Sequence, residues 1–312
     1  MKFLTNISLF LFFLFFVDGH LVLANQELAL PRVDQTKDIV QLVPIEYRKG
    51  VLLSFKKSWR NIWQLMLAIQ NVSPQEREGM AFLMANMPPK DLRELKADFL
   101  VENVQLAYQS LNEVPWGKNI PKEIFLNDVL PYASINERRD NWRVDFHQRF
   151  IKIAHGSQGI DQAVKVLNKY VFDNLQVSYN ATKRPKPDQS PYESIQAHYA
   201  SCTGLSVLLI DALRSVGIPA RLAGIALWAD GSGNHTWVEV WDGRWRYIGA
   251  DEPTELDHTW FSQKAASTDS LHHIYATSFK KTGLFFPMRW ARHLKTVSAI
   301  DVTKDYTGQG RV

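Results

Sequence analysis

Apolar positions recur every three to four residues from Val51 to about Leu111, a spacing that predicts helices. The run 61–72 (NIWQLMLAIQNV) stops before Ser73-Pro74, where Ser73 can cap the next helix and Pro74 suits its first turn. The run 87–111 repeats this arrangement, with prolines first and then Leu92, Leu95, Phe99, Val104 and Tyr108 at helical spacing. Helical pieces continue through 120–150, broken by Pro131, and a further helix covers 161–175. Residues 182–194 (TKRPKPDQSPYES) are polar and proline-rich and read as a loop. Leu205, Leu208, Leu209, Ala212 and Val216 then share one face of a helix that Ser201 can cap and that Gly217 and Pro219 end. Beyond it the period changes. Residues 220–228 read as a strand and 229–234 as a turn-rich loop, and 235–253 alternate around Asp242-Gly243 as a hairpin. Thr236, Val238 and Val240 are expected on one apolar face with Trp245 and Tyr247.

Composition sharpens this outline at three points. The chain has 312 residues, 46% of them hydrophobic, enough for a substantial core in two sub-domains. A formal net charge of +4, with no Lys/Arg run interleaved with aromatics, argues against nucleic acid as a partner. Lys2, the apolar stretch 7–17 (ISLFLFFLFFV) and Val22-Leu23-Ala24 together read as a secretory signal peptide cut after Ala24. The mature protein is therefore expected in the periplasm or outside the cell, with no membrane segment after cleavage.

An exported chain with one cysteine cannot form an internal disulfide. Cys202 is then either a small buried hydrophobe or a reactive thiol. Its place in the first turn of a helix favours the second, because unpaired N–H groups and the helix dipole stabilise an anion there. A thiol nucleophile needs a base, and the base needs a carboxylate. Of nine histidines, His235 follows the cysteine helix, opens the hairpin and faces an acid-bearing partner strand.

The segments SCTGLSVLLIDALRSVGIPARLAG (201–224) and GNHTWVEVWDGRWRYIGADEP (233–253) resemble the bacterial branch of the transglutaminase-like superfamily, which is related to the peptide N-glycanase core. The resemblance is specific across about 190–262. It implies an α+β, papain-like core in which a buried cysteine helix packs on an antiparallel sheet. It also implies a Cys-His-acid triad that works through a thioester. Cys202 then resembles the nucleophile and His235 the base. Gln196, six residues before Cys202, has the spacing of the oxyanion-hole glutamine of papain-like enzymes. The third triad member departs from the pattern. Relatives place the acid four residues after the strand tryptophan, and here that position is Gly249. Asp251 and Glu252 are the available acids. A two-residue Asp242-Gly243 turn pairs Val240 with Trp245 and Glu239 with Arg246, and puts Glu252 on the His235 face. A three-residue bulged turn, marked by Val240 opposite Arg244, puts Asp251 there instead. The coherent apolar face favours Glu252.

The expected organisation is a signal peptide at 1–24, a mainly helical region at 25–150 and a catalytic core at 151–312. The expected function is that of an exported cysteine enzyme that cleaves amide bonds in a protein, peptide or cell-wall peptide. Hydrolysis is favoured over cross-linking, because water is always available as acceptor. The alternative is a non-catalytic peptide- or glycan-binding module on the same fold. No cofactor is expected. His272 and His273 lack further ligands at metal spacing, so no metal is expected either. Trp228, Trp237, Trp241, Trp245 and Trp260 are expected around the site, and Asn180 and Asn234 match the glycosylation pattern.

Overall fold

The computed structural model describes residues 35–252, 254–269 and 271–308 in full, and of the preceding segment only the backbone of an antiparallel pair, β1 (Phe10–Val17) and β2 (His20–Glu27). The cleavage site expected after Ala24 concerns processing, and residues 1–9, 18–19 and 28–34 lie outside the described residues. No helix among the described residues is long and apolar enough to cross a membrane.

The amino-terminal helices are α1 (Thr36–Gln41), α2 (Ile45–Lys57), α3 (Ile62–Asn71), α4 (Arg77–Asn86), α5 (Pro89–Glu94), α6 (Ala97–Glu113) and α7 (Lys122–Ile124). The expected helix over 87–111 is two helices. Buried side chains from the preceding chain explain the break: Asn61 Nδ2 donates to the Leu92 and Leu95 carbonyls at 3.1 and 2.8 Å, and the Ala97 N–H donates to Gln64 Oε1 at 2.6 Å. These bonds satisfy the ends of two short helices as well as one continuous ladder would. Ser73 does not cap α4. Its own N–H is taken by Glu76, and the helix starts at Arg77. These helices bury one hydrophobic cluster that runs from Ile39 to Ala133.

A second cluster takes over from Val114 and Trp116 and runs to Ala299. It is built by α8 (Arg143–His155), α9 (Ile160–Leu175), α10 (Pro191–Ala197) and α11 (Cys202–Ser215), packed on a sheet. The segment 182–194, expected as loop throughout, closes into α10 because Ser190 and Glu193 form a reciprocal capping box. Helix α11 has the expected limits. Gly217 closes it at φ +71°, a conformation that favours glycine, and an added Cβ there would also meet the Ser110 carbonyl at 3.1 Å.

Two short strands, β3 (Ser178–Tyr179) and β4 (Tyr199–Ala200), pair in parallel just before α11. The main sheet contains β5 (Ala220–Ile225), β6 (His235–Trp241), β7 (Trp245–Ile248), β8 (Ile274–Ser278), β9 (Leu284–Phe285) and β10 (Ser298–Asp301), in the order β7-β6-β5-β8-β10-β9 with every pair antiparallel. Leu222, Val238 and Val240 face α11. Ala223, Ile225 and Trp237 face away from it, onto α12 (Ser262–Ala266) and α13 (Thr303–Thr307).

The hairpin closes with the longer of the two expected turns, though not with the Val240–Arg244 pairing expected to mark it. Asp242, Gly243 and Arg244 make a three-residue turn, Trp241 pairs with Trp245, and Val240 lies opposite Arg246. Trp245 and Tyr247 therefore leave the Val238–Val240 face, and Tyr247 joins Trp237, Phe261 and Tyr306 in the other layer. The expected pair Glu239–Arg246 does not form. Glu239 instead holds buried Arg221 at 2.6 Å and accepts from Tyr306 Oη at 2.7 Å. Arg221 is also stacked over the Trp245 ring, 3.5 Å from its centroid. A buried ion pair with these extra partners fixes the longer turn more firmly than an exposed cross-strand pair could.

Candidate active site

Cys202 opens α11, and Ser201 stands at the capping position, but its hydroxyl donates to the Pro187 carbonyl rather than to the helix. His235 opens β6. The residues that follow each of them are joined: Thr203 Oγ1 and Thr236 Oγ1 lie 3.1 Å apart in a buried hydrogen bond. That contact holds the helix start beside the strand start. The result is a cleft of about 520 Å³ whose walls include Cys202, His235, Asp251 and Glu252.

His235 sits among aromatic rings, with Trp260 at 4.8 Å, Phe261 at 4.9 Å, Trp237 at 5.7 Å and Trp228 at 6.3 Å between centroids. Its Nε2 is buried and has no hydrogen-bond partner among the described residues. This desolvation pushes the imidazole down to about 4, so the ring is neutral at ordinary pH.

The two acids occupy a turn after β7. Counted along the observed register, Asp251 would lie across from His235, but the strand ends at Ile248 and the chain turns. Asp251 adopts φ +66°, and the Glu252 N–H closes the turn on the Gly249 carbonyl at 3.3 Å. The anchor is Asn168 of α9, fully buried. Its Nδ2 donates to the Gly249 and Glu252 carbonyls at 2.9 Å each, and its Oδ1 accepts the Asp251 N–H at 3.0 Å. The turn folds the Glu252 side chain back over Gly249. A Cβ built at 249 would collide with the Glu252 carboxylate, with Oε1 at 2.8 Å and Cδ and Oε2 closer still. The Glu252 carboxylate thus fills the space that a side chain at 249 would enter. Its Oε1 accepts from Trp260 Nε1 at 2.8 Å, and Trp260 in turn packs on the His235 ring. Burial raises the Glu252 carboxyl and Asp251 raises it further, against the lowering effect of the Trp260 bond. Asp251 is raised by burial and by Asp173, and partly relieved by Lys169, two residues of α9.

Three expectations need correction. Gln196 is exposed on α10 and lines a separate groove with Arg138, Lys186 and Glu193, because the α10 capping box turns its side chain away from Cys202. Trp241 and Trp245 meet edge to face at the far end of the hairpin, so of the five only Trp228, Trp237 and Trp260 surround the site. The register offered as the mark of Glu252 is absent; Glu252 shares the cleft wall with His235 and reaches it only through Trp260, with no hydrogen bond between the two among the described residues. His272 and His273 are bound by Asp269 and Asp301 at 2.7 Å each, and no cluster of metal-ligating residues occurs among the described residues.

Sequence reasoning missed Tyr179, a hydroxyl on the wall of the same cleft. The parallel bridge of β3 to β4 sets Tyr179 opposite Ala200, two residues before Cys202. It also missed Asn168, although a signal existed: it is a polar residue inside the apolar stripe of Val164, Leu167 and Val171.

Residues 148–251 match the family profile described as the transglutaminase-like superfamily. The chain carries a transglutaminase-like domain. Its limits enclose α9, α11, the hairpin, and both Cys202 and His235. Among solved structures, the chain is similar to one described as "a Putative Cysteine Protease from Cytophaga hutchinsonii", at 16% identity and a TM-score of 0.34, covering 62% of this chain and 68% of that one. No curated protein matches the sequence. The mixed helix-and-sheet architecture, with a cysteine helix on an antiparallel sheet, agrees with the transglutaminase-like match over 148–251.

Proposed function

We propose that the protein is an exported hydrolase of amide bonds that works through a thioester on Cys202. The observation that carries this reading is the shared cleft of Cys202, His235 and Glu252, clamped by the Thr203–Thr236 bond. In the proposed cycle, neutral His235 takes the thiol proton on Nδ1, since Nε2 is the buried nitrogen. The thiolate attacks the substrate carbonyl carbon. The oxyanion is received by the Cys202 backbone N–H and the Tyr179 hydroxyl. The intermediate collapses, the C–N bond breaks, and the leaving amine takes the proton from His235. Water, deprotonated by the same imidazole, then cleaves the thioester and regenerates the thiol. Glu252 stabilises the imidazolium formed in each half.

Water is the favoured acceptor because the rim is open: Tyr179 and Trp260 are 60% and 59% exposed. Transamidation requires a site that excludes water, and an open rim does not provide one. Exposed aromatic side chains beside the nucleophile suit an extended peptide, including a cell-wall peptide. Export rests on the amino-terminal sequence, with Lys2 and the apolar stretch 7–17. A second reading, a binding module that uses the same aromatic walls, draws on the unpartnered His235 Nε2. The test is a screen of peptide and cell-wall-fragment amides, scored by mass spectrometry with and without a millimolar primary amine. Free acid as the product in both conditions supports the hydrolase. Amine adducts in the second condition identify a transamidase, and binding without turnover identifies the module.

A further inference from the structure

Arg214 lies twelve residues after Cys202 on α11, about 18 Å along the helix axis. It lines a cavity of about 390 Å³ between the α4–α5 corner, the segment 133–139 and strands β8 to β10. The charged side chains on its walls are Arg139, Arg214, Lys281 and Lys295, and no aspartate or glutamate among the described residues lines it. An adjoining cavity of about 450 Å³ shares Phe285 and Lys295 and adds Arg289 and Arg292, again with no acid.

The nearby acids are already engaged behind this lining. Asp91 Oδ2 accepts from Tyr132 Oη at 2.7 Å and from Arg139 Nε at 3.0 Å. Glu137 accepts the Ser134 and Ile135 N–H groups at 2.6 and 2.8 Å. Arg214 is only 2% exposed and forms no ion pair with a described residue. Its Nε donates to the Asp128 and Ala220 carbonyls and its Nη1 to that of Ala133, which leaves Nη2 without a hydrogen bond. The acids that act on its charge are Asp211, Asp128 and Glu137, and burial raises the carboxyls of Asp128, to about 6, and of Asp211, which weakens that compensation. Ser134, 7% exposed, lines the same cavity with a hydroxyl that has no partner among the described residues. A buried cation with no direct ion pair among the described residues and a buried hydroxyl without a bond are both costly, and one anion would satisfy both.

We propose that this cavity binds a small ligand with a carboxylate or phosphate head and an apolar body. The head sits against Ser134, Arg139 and Arg214. The body lies along Ile135, Phe279 and Phe285. The site is separate from the cysteine cleft and does not depend on its activity.

Calorimetric titration of the full protein with sodium octanoate, octyl phosphate and 1-octanol tests this. One of the two anionic amphiphiles, at least, should saturate a single site, with the tighter one identifying the head group. Octanol should bind at least about tenfold more weakly. Ser134→Ala and Lys295→Glu should each weaken the anion by about tenfold, the scale of a hydrogen bond or ion pair to a charged group. Lys295→Gln, a milder change, should give a smaller loss in the same direction. Cys202→Ser should leave the affinity unchanged. Octanol binding as tightly as the anions, the absence of saturation by both anions, or unchanged affinity in both Ser134→Ala and Lys295→Glu would overturn the proposal.

Discussion

Gly249→Ala separates the role of Glu252 from its effect on folding. The backbone at Gly249 lies outside the left-handed region, so alanine fits it without torsional strain. By restricting the unfolded chain, the substitution alone should stabilise the protein by about 0.4–1 kcal/mol. Against this, the new Cβ meets the Glu252 carboxylate, with Oε1 at 2.8 Å. The carboxylate is the free end of a flexible side chain and can swing aside. Doing so breaks the Trp260 Nε1 bond, worth about 1.5–3 kcal/mol in the folded state as a hydrogen bond to a charged group and less here because Trp260 is well exposed. The two effects nearly cancel, so stability in urea should change by no more than about 1–2 kcal/mol. Turnover should fall much further, by about 10²–10⁴-fold, because the carboxylate proposed to stabilise the imidazolium has left its seat on Trp260. The assay is hydrolysis of a chromogenic peptide anilide, run on Gly249→Ala, Glu252→Gln and the double variant. The double variant should be no slower than Glu252→Gln. Gly249→Asp combined with Glu252→Ala returns a carboxylate to the same space and should recover part of the lost rate. Full turnover in Gly249→Ala, or multiplicative losses in the double variant, would refute the assignment of Glu252.

Other predictions address the remaining residues. Glu252→Gln should depress turnover by about 10²–10⁴-fold while Asp251→Asn remains within about tenfold, because Asp173 and Lys169 of α9 act on Asp251; equal losses would remove Glu252 from the triad. His235 is held near 4 in the fold against about 6.5 when unfolded. The unfolded chain therefore gains the proton first, and the stability from the buried neutral ring, complete above about pH 6.5, is lost as pH falls toward 4. The total is about 3 kcal/mol. Urea melts of wild type minus those of His235→Gln should show this slope, and parallel curves would contradict it. Tyr179→Phe should slow acylation by about 10²-fold and Gln196→Ala should leave it unchanged, the reverse of the ranking that sequence spacing gives; pre-steady-state release of the leaving group distinguishes the two.

Local physics made much of this molecule legible in the sequence. The cysteine helix runs from Cys202 to Ser215 as its apolar spacing and the Gly217 stop signal indicate, and His235 opens a strand as its alternation indicates. What failed were features fixed by contacts distant in sequence. The turn length depends on the Arg221–Glu239 pair and its Trp245 stack, which join β5, β6 and β7 and leave no mark at Asp242-Gly243. Gln196 has the right spacing to Cys202, but the Ser190–Glu193 cap sets the rotation of its helix. The place of Glu252 depends on Asn168, some eighty residues upstream, and on a turn that pairing rules do not govern. Gly249 was the clearest available hint: a glycine where relatives keep an acid leaves space for another carboxylate.

A thioester on Cys202, formed with the help of His235, is the intermediate on which the proposed reaction depends. Rapid mixing with p-nitrophenyl acetate, acid quenching, and peptide mapping by mass spectrometry test it most directly. The expected result is a burst of one nitrophenol per chain and one acetyl group, on Cys202, released by neutral hydroxylamine. Both should be absent in Cys202→Ala and strongly slowed in His235→Ala, while each variant keeps a cooperative melt. Acetylation confined to lysines, or a burst that survives Cys202→Ala, would contradict it.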